Sequence, residues 1–182
     1  MFGFIDYEFQ FQYSVSQTTS AFLFGIILSK ETDMSSILIV YGSTTGNTAA
    51  VADALGRMLE DKGHKTTVKN VTDVEAVNLC TGWDAVLFGC SAWGDEDIVL
   101  QDDFEVFFEN FDQIDAKGHN AACFATGDSE YPHFCGAVDV IEEKLQALGA
   151  ILIADGLKLD GDLSSNREIV AQWAEDIDRA LA

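Results

Sequence analysis

The chain has 182 residues, and 48% of them are hydrophobic, so it can bury a single globular core. With 31 Asp and Glu against 10 Lys and Arg, its net charge is -21. This charge disfavours nucleic acid and anionic membrane surfaces as partners, and it favours a monomer because a second copy carries the same charge. The negative charge serves either to attract partners with a basic docking face or only to keep the protein soluble.

The four cysteines form no recognisable metal or redox motif. They include no C-x-x-C pair, and their spacing from the three histidines does not match a zinc or iron–sulfur site. Free cysteine behaves as a small hydrophobic residue, so we expect buried, reduced thiols in a cytoplasmic protein. The cysteines are Cys80, Cys90, Cys123 and Cys135.

Residues 1–33 differ in composition from the rest of the chain. They are rich in Phe, Gln, Ser and Thr and contain no Lys or Arg before Lys30. Their apolar run, residues 21–28, is too short to span a bilayer and lacks the basic region that precedes a secretory signal. Met34 stands directly before the first clean strand, so we expect an appended or upstream-translated segment at 1–33 and the folded domain at 34–182.

The first half of this domain alternates short apolar runs with helical periodicity. Residues 37–41 predict a buried strand, and the following helix ends at Gly63. Residues 65–69 predict a more polar strand suited to a sheet edge, and residues 74–79 a short helix. The apolar face of the first helix consists of Val51, Leu55, Met58 and Leu59.

The second half continues the same alternation. Residues 85–89 and 121–125 predict two further buried strands, and residues 151–154 predict the last one. The helical stripes that follow these strands are Phe104, Phe107, Phe108 and Phe111; then Val138, Ile141, Leu145 and Leu148; and finally Ile169, Trp173, Ile177 and Leu181. Five strands alternating with about five helices predict a three-layer α/β fold with a doubly wound, five-stranded parallel sheet.

Such sheets bind ligands beyond the carboxyl ends of their strands. The loop after the first strand offers hydroxyls, an amide and backbone N–H groups at a helix N-terminus, which favours a phosphate over a merely capped turn. It has no Walker A lysine and no G-x-G-x-x-G pattern, so a permanently held phosphate monoester suits it better than a nucleoside triphosphate. These residues are Ser43, Thr44, Thr45, Gly46, Asn47 and Thr48.

Two further loops supply an aromatic residue each. Trp93 and Tyr131 are able to sandwich a planar ring, although a surface tryptophan also occurs in ordinary loops. Together the three loops fit flavin mononucleotide (FMN) better than any other common ligand. The candidate residues of the second loop are Ser91, Ala92, Trp93, Gly94 and Asp95; those of the third are Thr126, Gly127, Asp128, Tyr131, His133, Phe134 and Cys135.

Four stretches resemble the short-chain flavodoxins, particularly those of sulfate-reducing bacteria. The likeness runs from about Met34 to the C-terminus, and residues 151–159 lack the long insertion of the long-chain members. The resemblance implies a flavodoxin-like sheet of order 2-1-3-4-5 that binds FMN non-covalently. The stretches are IVYGSTTGNT (39–48), VLFGCSAWG (86–94), LQDDF (100–104) and FCGAV (134–138).

The resemblance also implies roles for individual residues. Residues 43–48 hold the FMN phosphate, Trp93 covers the inner face of the flavin and Tyr131 the outer face. The peptide of Gly94 turns so that its carbonyl accepts a hydrogen bond from N5–H of the neutral semiquinone. A side chain at this position penalises one of the two peptide orientations.

The expected function is a low-potential one-electron carrier between the neutral semiquinone and the anionic hydroquinone, rather than an enzyme. The anion is disfavoured near Asp128, the phosphate and the acidic run 95–97, which lowers the second potential. The acids at 95–97, 102 and 103 form either a solvated face or a docking surface for basic oxidoreductases, cytochromes and reductases. His133 is either a solvated residue or a pH-dependent influence on the flavin.

Two other classes use related folds. A receiver-type signalling module needs acids where Tyr41-Gly42 and Gly89-Cys90 stand, so the sequence argues against it. An FMN-dependent NAD(P)H:quinone or azo reductase is the alternative function. It needs room for a hydride donor and usually a cation for the dinucleotide, whereas Trp93 and Tyr131 close both flavin faces and the loops contain no cation.

Overall fold

In the computed structural model, which describes residues 34–94 and 97–182, eight strands and four α-helices form the α/β fold that the sequence predicts, although the alternation of strands and helices is not strict. The prediction for residues 1–33 lies outside the described residues. The strands are β1 (Ser36–Gly42), β2 (Lys65–Asn70), β3 (Ala85–Cys90), β4 (Ala92–Trp93), β5 (Val99–Leu100), β6 (Asn120–Gly127), β7 (Ile151–Leu152) and β8 (Leu157–Asp160). The helices are α1 (Asn47–Asp61), α2 (Asp102–Phe108), α3 (Gly136–Ala147) and α4 (Leu163–Leu181), with 3-10 turns at Val71–Asp73 and Phe111–Gln113.

The main sheet is parallel and runs in the order β2-β1-β3-β6, with both β7 and β8 pairing with the far side of β6. This confirms the predicted doubly wound order 2-1-3-4-5, in which the fifth position is shared by two short strands. The polar strand β2 lies at the edge, as its composition predicts. A separate antiparallel hairpin, β4–β5, was not predicted.

Helices cover both faces of the sheet. Successive side chains of a strand point to opposite faces, so Ile37 and Ile39 pack with α1 and α4, whereas Leu38 and Val40 pack with α2 and α3. The second face is rich in phenylalanine, and Phe88 and Phe111 meet edge to face with ring centroids 5.1 Å apart. None of the helices within 34–94 and 97–182 is long and apolar enough to cross a membrane.

The short helix predicted at 74–79 is wrong. Only Val71–Asp73 forms a 3-10 turn, and Asn78 has a left-handed φ of 56° that interrupts any helix. The Asn78 N–H donates to the Gln113 carbonyl at 2.8 Å, and the Cys80 N–H donates to the Ile114 carbonyl at 2.9 Å. Bonds to a distant segment therefore replace the local bonds that a helix needs.

The last predicted strand and the final stripe also need correction. The strand ends at Leu152, and a further strand begins at Leu157; between them the chain bonds to α4, since the Trp173 Nε1–H donates to the Asp155 carbonyl at 2.7 Å. In α4, Ile169 is 53% exposed and Val170 takes the buried position. The true apolar face is therefore rotated by one residue at this turn.

Candidate functional site

The sheet register brings the three predicted loops together at the carboxyl ends of the strands. Gly42 of β1 is level with Cys90 of β3, and Gly89 of β3 is level with Phe124 of β6. Because these neighbouring strands are parallel, the loops that follow β1, β3 and β6 all leave from their carboxyl ends. The structure thus assembles the predicted loops side by side.

The loop 43–48 leads directly into α1. Gly46 has a φ of +92° at the N-cap, and its N–H donates to the Ser43 hydroxyl at 3.1 Å. Thr48 is buried in the first helical turn, and its hydroxyl shares a hydrogen bond with that of Thr126 at 3.1 Å. The first turn of a helix presents N–H groups without intrahelical partners, and no acidic side chain lies in this one. The exposed residues between Ser43 and Thr48 are Thr44, Thr45, Gly46 and Asn47.

Gln101 connects this loop to the rest of the site; it belongs to the stretch 100–104 that the sequence singled out, but no role in the site was predicted for it. Its side chain is buried, and its Oε1 caps α2 by accepting the Phe104 N–H at 3.0 Å. Its Nε2 donates to Asp103 Oδ2 at 2.9 Å and approaches Thr44 Oγ1 at 3.5 Å. Its backbone N–H donates to the Ser91 carbonyl at 2.9 Å. Gln101 therefore links the first loop and α2 through its buried side chain, and the second loop through its backbone.

The second loop is an antiparallel hairpin in which Trp93 lies opposite Val99. The Trp93 side chain remains 40% exposed at the edge. Gly94 has a φ of +106°, and a Cβ at this position would collide with the carbonyl oxygen of Asp97. Position 94 thus requires glycine for reasons of backbone geometry alone. The candidate Asp95 lies outside the described residues.

The third loop is held by its own acidic residue and by β8. Asp128 accepts the Glu130 N–H at its Oδ1 and the Tyr131 N–H at its carbonyl, at 2.9 and 3.2 Å. Ser129 donates its N–H and hydroxyl to Asp160 at 3.2 and 2.5 Å. The hydroxyl bond, then the backbone bond, lowers the pKa of Asp160 below 3.8. The backbone is fixed, while the Tyr131 ring is 59% exposed.

The end of this loop is packed against the protein. Cys135 is buried at the start of α3 with a φ of +50°, and its Sγ faces the Ala125 carbonyl at 3.6 Å. Burial raises its pKa to about 11, so the thiol stays protonated at neutral pH and serves packing. His133 and Phe134 are half-buried, and the His133 carbonyl accepts the Gly136 N–H at 2.9 Å.

The second and third loops also touch each other. Ile98 of the hairpin lies where a side chain on Gly136 would be, because a Cβ there would stand 2.8 Å from Ile98 Cδ1. This contact fixes the hairpin against the start of α3. The three loops contain no Lys or Arg, and within 34–94 and 97–182 no group of three or more His, Cys, Asp or Glu is arranged to hold a metal ion.

Comparison with known proteins identifies a family. A family model described as flavodoxin matches residues 39–173. The chain is 52% identical over 148 residues to a flavodoxin of Nitratidesulfovibrio vulgaris, covering 81% of this chain and all of that protein. It is 49% identical over 144 residues to a flavodoxin of Maridesulfovibrio salexigens, covering 79% and 97%. The crystal structure of oxidised flavodoxin 1 from Bacillus cereus superposes with a TM-score of 0.72 at 31% identity, covering 81% of this chain and all of that one.

Proposed function

The chain belongs to the flavodoxin family, and from this premise we propose that its three carboxyl-edge loops hold FMN and pass single electrons between redox proteins. Flavodoxins are FMN-binding electron carriers, not enzymes, and this chain is such a carrier. The proposed working couple is the neutral semiquinone and the anionic hydroquinone. FMN supplies the redox chemistry when bound, and the protein supplies binding, orientation and electrostatics.

The observation that carries the proposal is the loop 43–48. Exposed hydroxyls, a glycine with positive φ and the first turn of α1 converge there, and no acidic side chain in that turn competes for the N–H groups. This donor set suits a phosphate, because it combines hydrogen bonds with the positive end of a helix dipole. Thr48 bonds to Thr126 and Gln101 approaches Thr44. These buried contacts fix the loop, so its donors are arranged before the ligand binds.

The two aromatic loops supply the ring-binding half of the proposed site. Trp93 and Tyr131 leave the same edge of the sheet on neighbouring loops, and both rings keep a large exposed surface. Flat apolar groups of this kind stack on a planar ring. We assign Trp93 to the inner face of the flavin and Tyr131 to the outer face.

Gly94 is the proposed redox-tuning residue. Its peptide lies in a hairpin whose backbone already demands glycine, since its φ is +106° and Asp97 leaves no room for a Cβ. Glycine also lets this peptide adopt more than one orientation at low cost. We propose that the Gly94 carbonyl accepts a hydrogen bond from the one-electron-reduced flavin and so stabilises that state.

The charges around the site bear on the second electron. The exposed Asp97 and Asp128 lie in the two aromatic loops, and none of the three loops contains Lys or Arg. The second electron would give a negative charge to a flavin ring that the first electron leaves neutral, and in these surroundings that charge costs electrostatic energy. A low potential for the second electron follows, and partners with basic faces are favoured because the whole chain is strongly acidic.

The experiment is a stepwise anaerobic reduction of the FMN-loaded protein with dithionite, followed by visible absorption. We expect a yellow protein that passes through a blue intermediate before it bleaches. Direct bleaching without the blue form would contradict one-electron transfer. Rapid bleaching by NADH or NADPH alone would instead support a two-electron reductase.

A further inference from the structure

One long stretch of the chain carries acidic residues only. Residues 70–116 contain twelve Asp and Glu and no Lys, Arg or His. This stretch includes the 3-10 turn Val71–Asp73, the second loop of the candidate site and α2. A surface built from it attracts positive charge whatever the pairing of individual side chains.

An apolar groove opens on this surface between segment 71–77 and α2. Its volume is about 550 Å³. Two of its apolar side chains are more than half exposed: Val77 at 58% and Val106 at 65%. The charged residues that line it are Glu75 and Asp103, both acidic. Apolar and acidic side chains therefore line the groove together.

The groove begins beside the candidate site. Asn70 is level with Tyr41 in the sheet register, so segment 71–77 leaves from the same carboxyl edge as the loop 43–48. On the opposite wall, Asp103 accepts a hydrogen bond from the Gln101 side chain, which also approaches Thr44. A protein bound in this groove would thus lie next to the loop assigned to the FMN phosphate.

We propose that this groove, lined by Val74, Val77, Val106 and Phe107, docks the redox partner by receiving an apolar side chain that lysines or arginines surround. The inference rests on the proposed function and specifies the partner's contact chemistry. Burial of an apolar group fixes where the partner binds, and the acidic side chains of the groove and of the surrounding stretch accelerate its approach. A second copy of this chain is a poor occupant, because the two acidic surfaces repel each other.

The test measures electron transfer from the full-length, FMN-loaded and fully reduced protein to a basic ferric c-type cytochrome. Each transfer removes one electron from the flavin and converts one ferric haem to ferrous, which stopped-flow absorption follows. Val106→Arg should lower the second-order rate constant at least about fivefold, since it places a positive charge in the groove. Ile169→Arg is the matched control, because Ile169 is also an exposed apolar residue but lies on α4, which packs on the other face of the sheet.

A second pair of variants separates apolar contact from charge. Val106→Ser should lower the rate constant about twofold to threefold and should keep that effect at high salt, where attraction between charges is screened. Ile169→Ser should leave the rate unchanged. Equal rates for the Val106 and Ile169 variants would overturn the groove proposal, as would a Val106 variant that slows transfer by weakening FMN retention. The wild-type protein supplies a further outcome, in which it retains FMN yet fails to reduce the cytochrome. If dithionite titration still gives the blue intermediate, this failure would overturn the groove proposal alone. If the blue intermediate is also missing, the proposed function would be overturned as well.

Discussion

The loop 43–48 and the two aromatic loops share one edge of the sheet but are held in different ways. The first loop is anchored by side chains: Thr48 is buried against Thr126, and the buried Gln101 reaches Thr44. The aromatic loops are anchored by the β4–β5 pairing and by the bonds of Asp128 and Asp160, while the rings of Trp93 and Tyr131 stay exposed and take no part in that anchoring. Changes beneath the first loop should therefore affect both stability and FMN binding, whereas changes to the exposed rings should affect binding alone.

The largest effect is expected at Gly94, which is needed both for the backbone of the hairpin and for the proposed contact with FMN. Gly94→Ala adds a Cβ against the Asp97 carbonyl in a residue with positive φ, so the hairpin must move. FMN affinity should fall about tenfold or more, which corresponds to about 1.4 kcal/mol, and the blue intermediate should diminish. Fluorescence titration of FMN and the dithionite titration measure the two effects.

Gly118→Ala is the matched control for this variant. Gly118 has a φ of +76°, but no atom lies within 4 Å of the position of its Cβ. This variant should lose about 1–2 kcal/mol of stability from backbone strain and keep normal FMN affinity. If Gly118→Ala weakened FMN binding as much as Gly94→Ala, the effect would be one of global stability.

A smaller effect is expected for Gln101→Leu. The variant removes the cap of the Phe104 N–H and the contact with Thr44, at a cost of about 1–3 kcal/mol in the free energy of unfolding. Since the amide supports the proposed phosphate loop, FMN affinity should fall more than riboflavin affinity. Urea unfolding measures the loss of stability, and titrations with FMN and riboflavin measure the two affinities. Gln172→Leu is the control, because Gln172 is an exposed glutamine on α4. Equal losses for FMN and riboflavin would show that Gln101 does not act through the phosphate.

The contrast between the loops also explains what sequence reasoning reached and what it missed. The strands and the location of the loops follow from local apolar runs, and the strand order follows from the family resemblance that the contiguous motifs carry. Gln101 acts through Thr44, 57 positions away, and a polar residue gives no periodic signal of its own. Strands of two residues, such as those of the β4–β5 hairpin, are too short to show an alternating pattern. The break after Leu152 accompanies a bond between the Asp155 carbonyl and Trp173, 18 positions away, which a local pattern does not reveal.

Substitution of Tyr131 tests the other half of the comparison. Tyr131→Leu should change the free energy of unfolding of the apoprotein by no more than about 0.5 kcal/mol, because the ring is exposed. FMN affinity should fall by about 0.5–1.5 kcal/mol through lost stacking, whereas Tyr131→Phe should keep most of it. A large loss of apoprotein stability would mean that the ring supports the loop itself.

The smallest effect concerns Asp84, which lies just before β3, at the amino ends of the strands and away from the candidate site. Hydrogen bonds from the Ser36 N–H and hydroxyl lower the pKa of Asp84 below its ordinary value of 3.8. The ionised group therefore stabilises the fold above pH 3.8, and this contribution is lost as the pH falls through the lowered pKa. Asp84→Asn should cost at most about 1 kcal/mol at pH 7, since the group is exposed, and the difference should vanish in acid. FMN affinity should not change.

The most direct test of the central claim is to map FMN on the protein by amide chemical shifts in NMR, adding FMN to the isotope-labelled full-length apoprotein. We predict that the largest changes fall on residues 43–48, 91–94 and 126–135, with Gly46 and Gly94 among them. Changes concentrated instead along the cleft of about 610 Å³ that α3 and residues 152–158 line would contradict the assignment of FMN to the three loops.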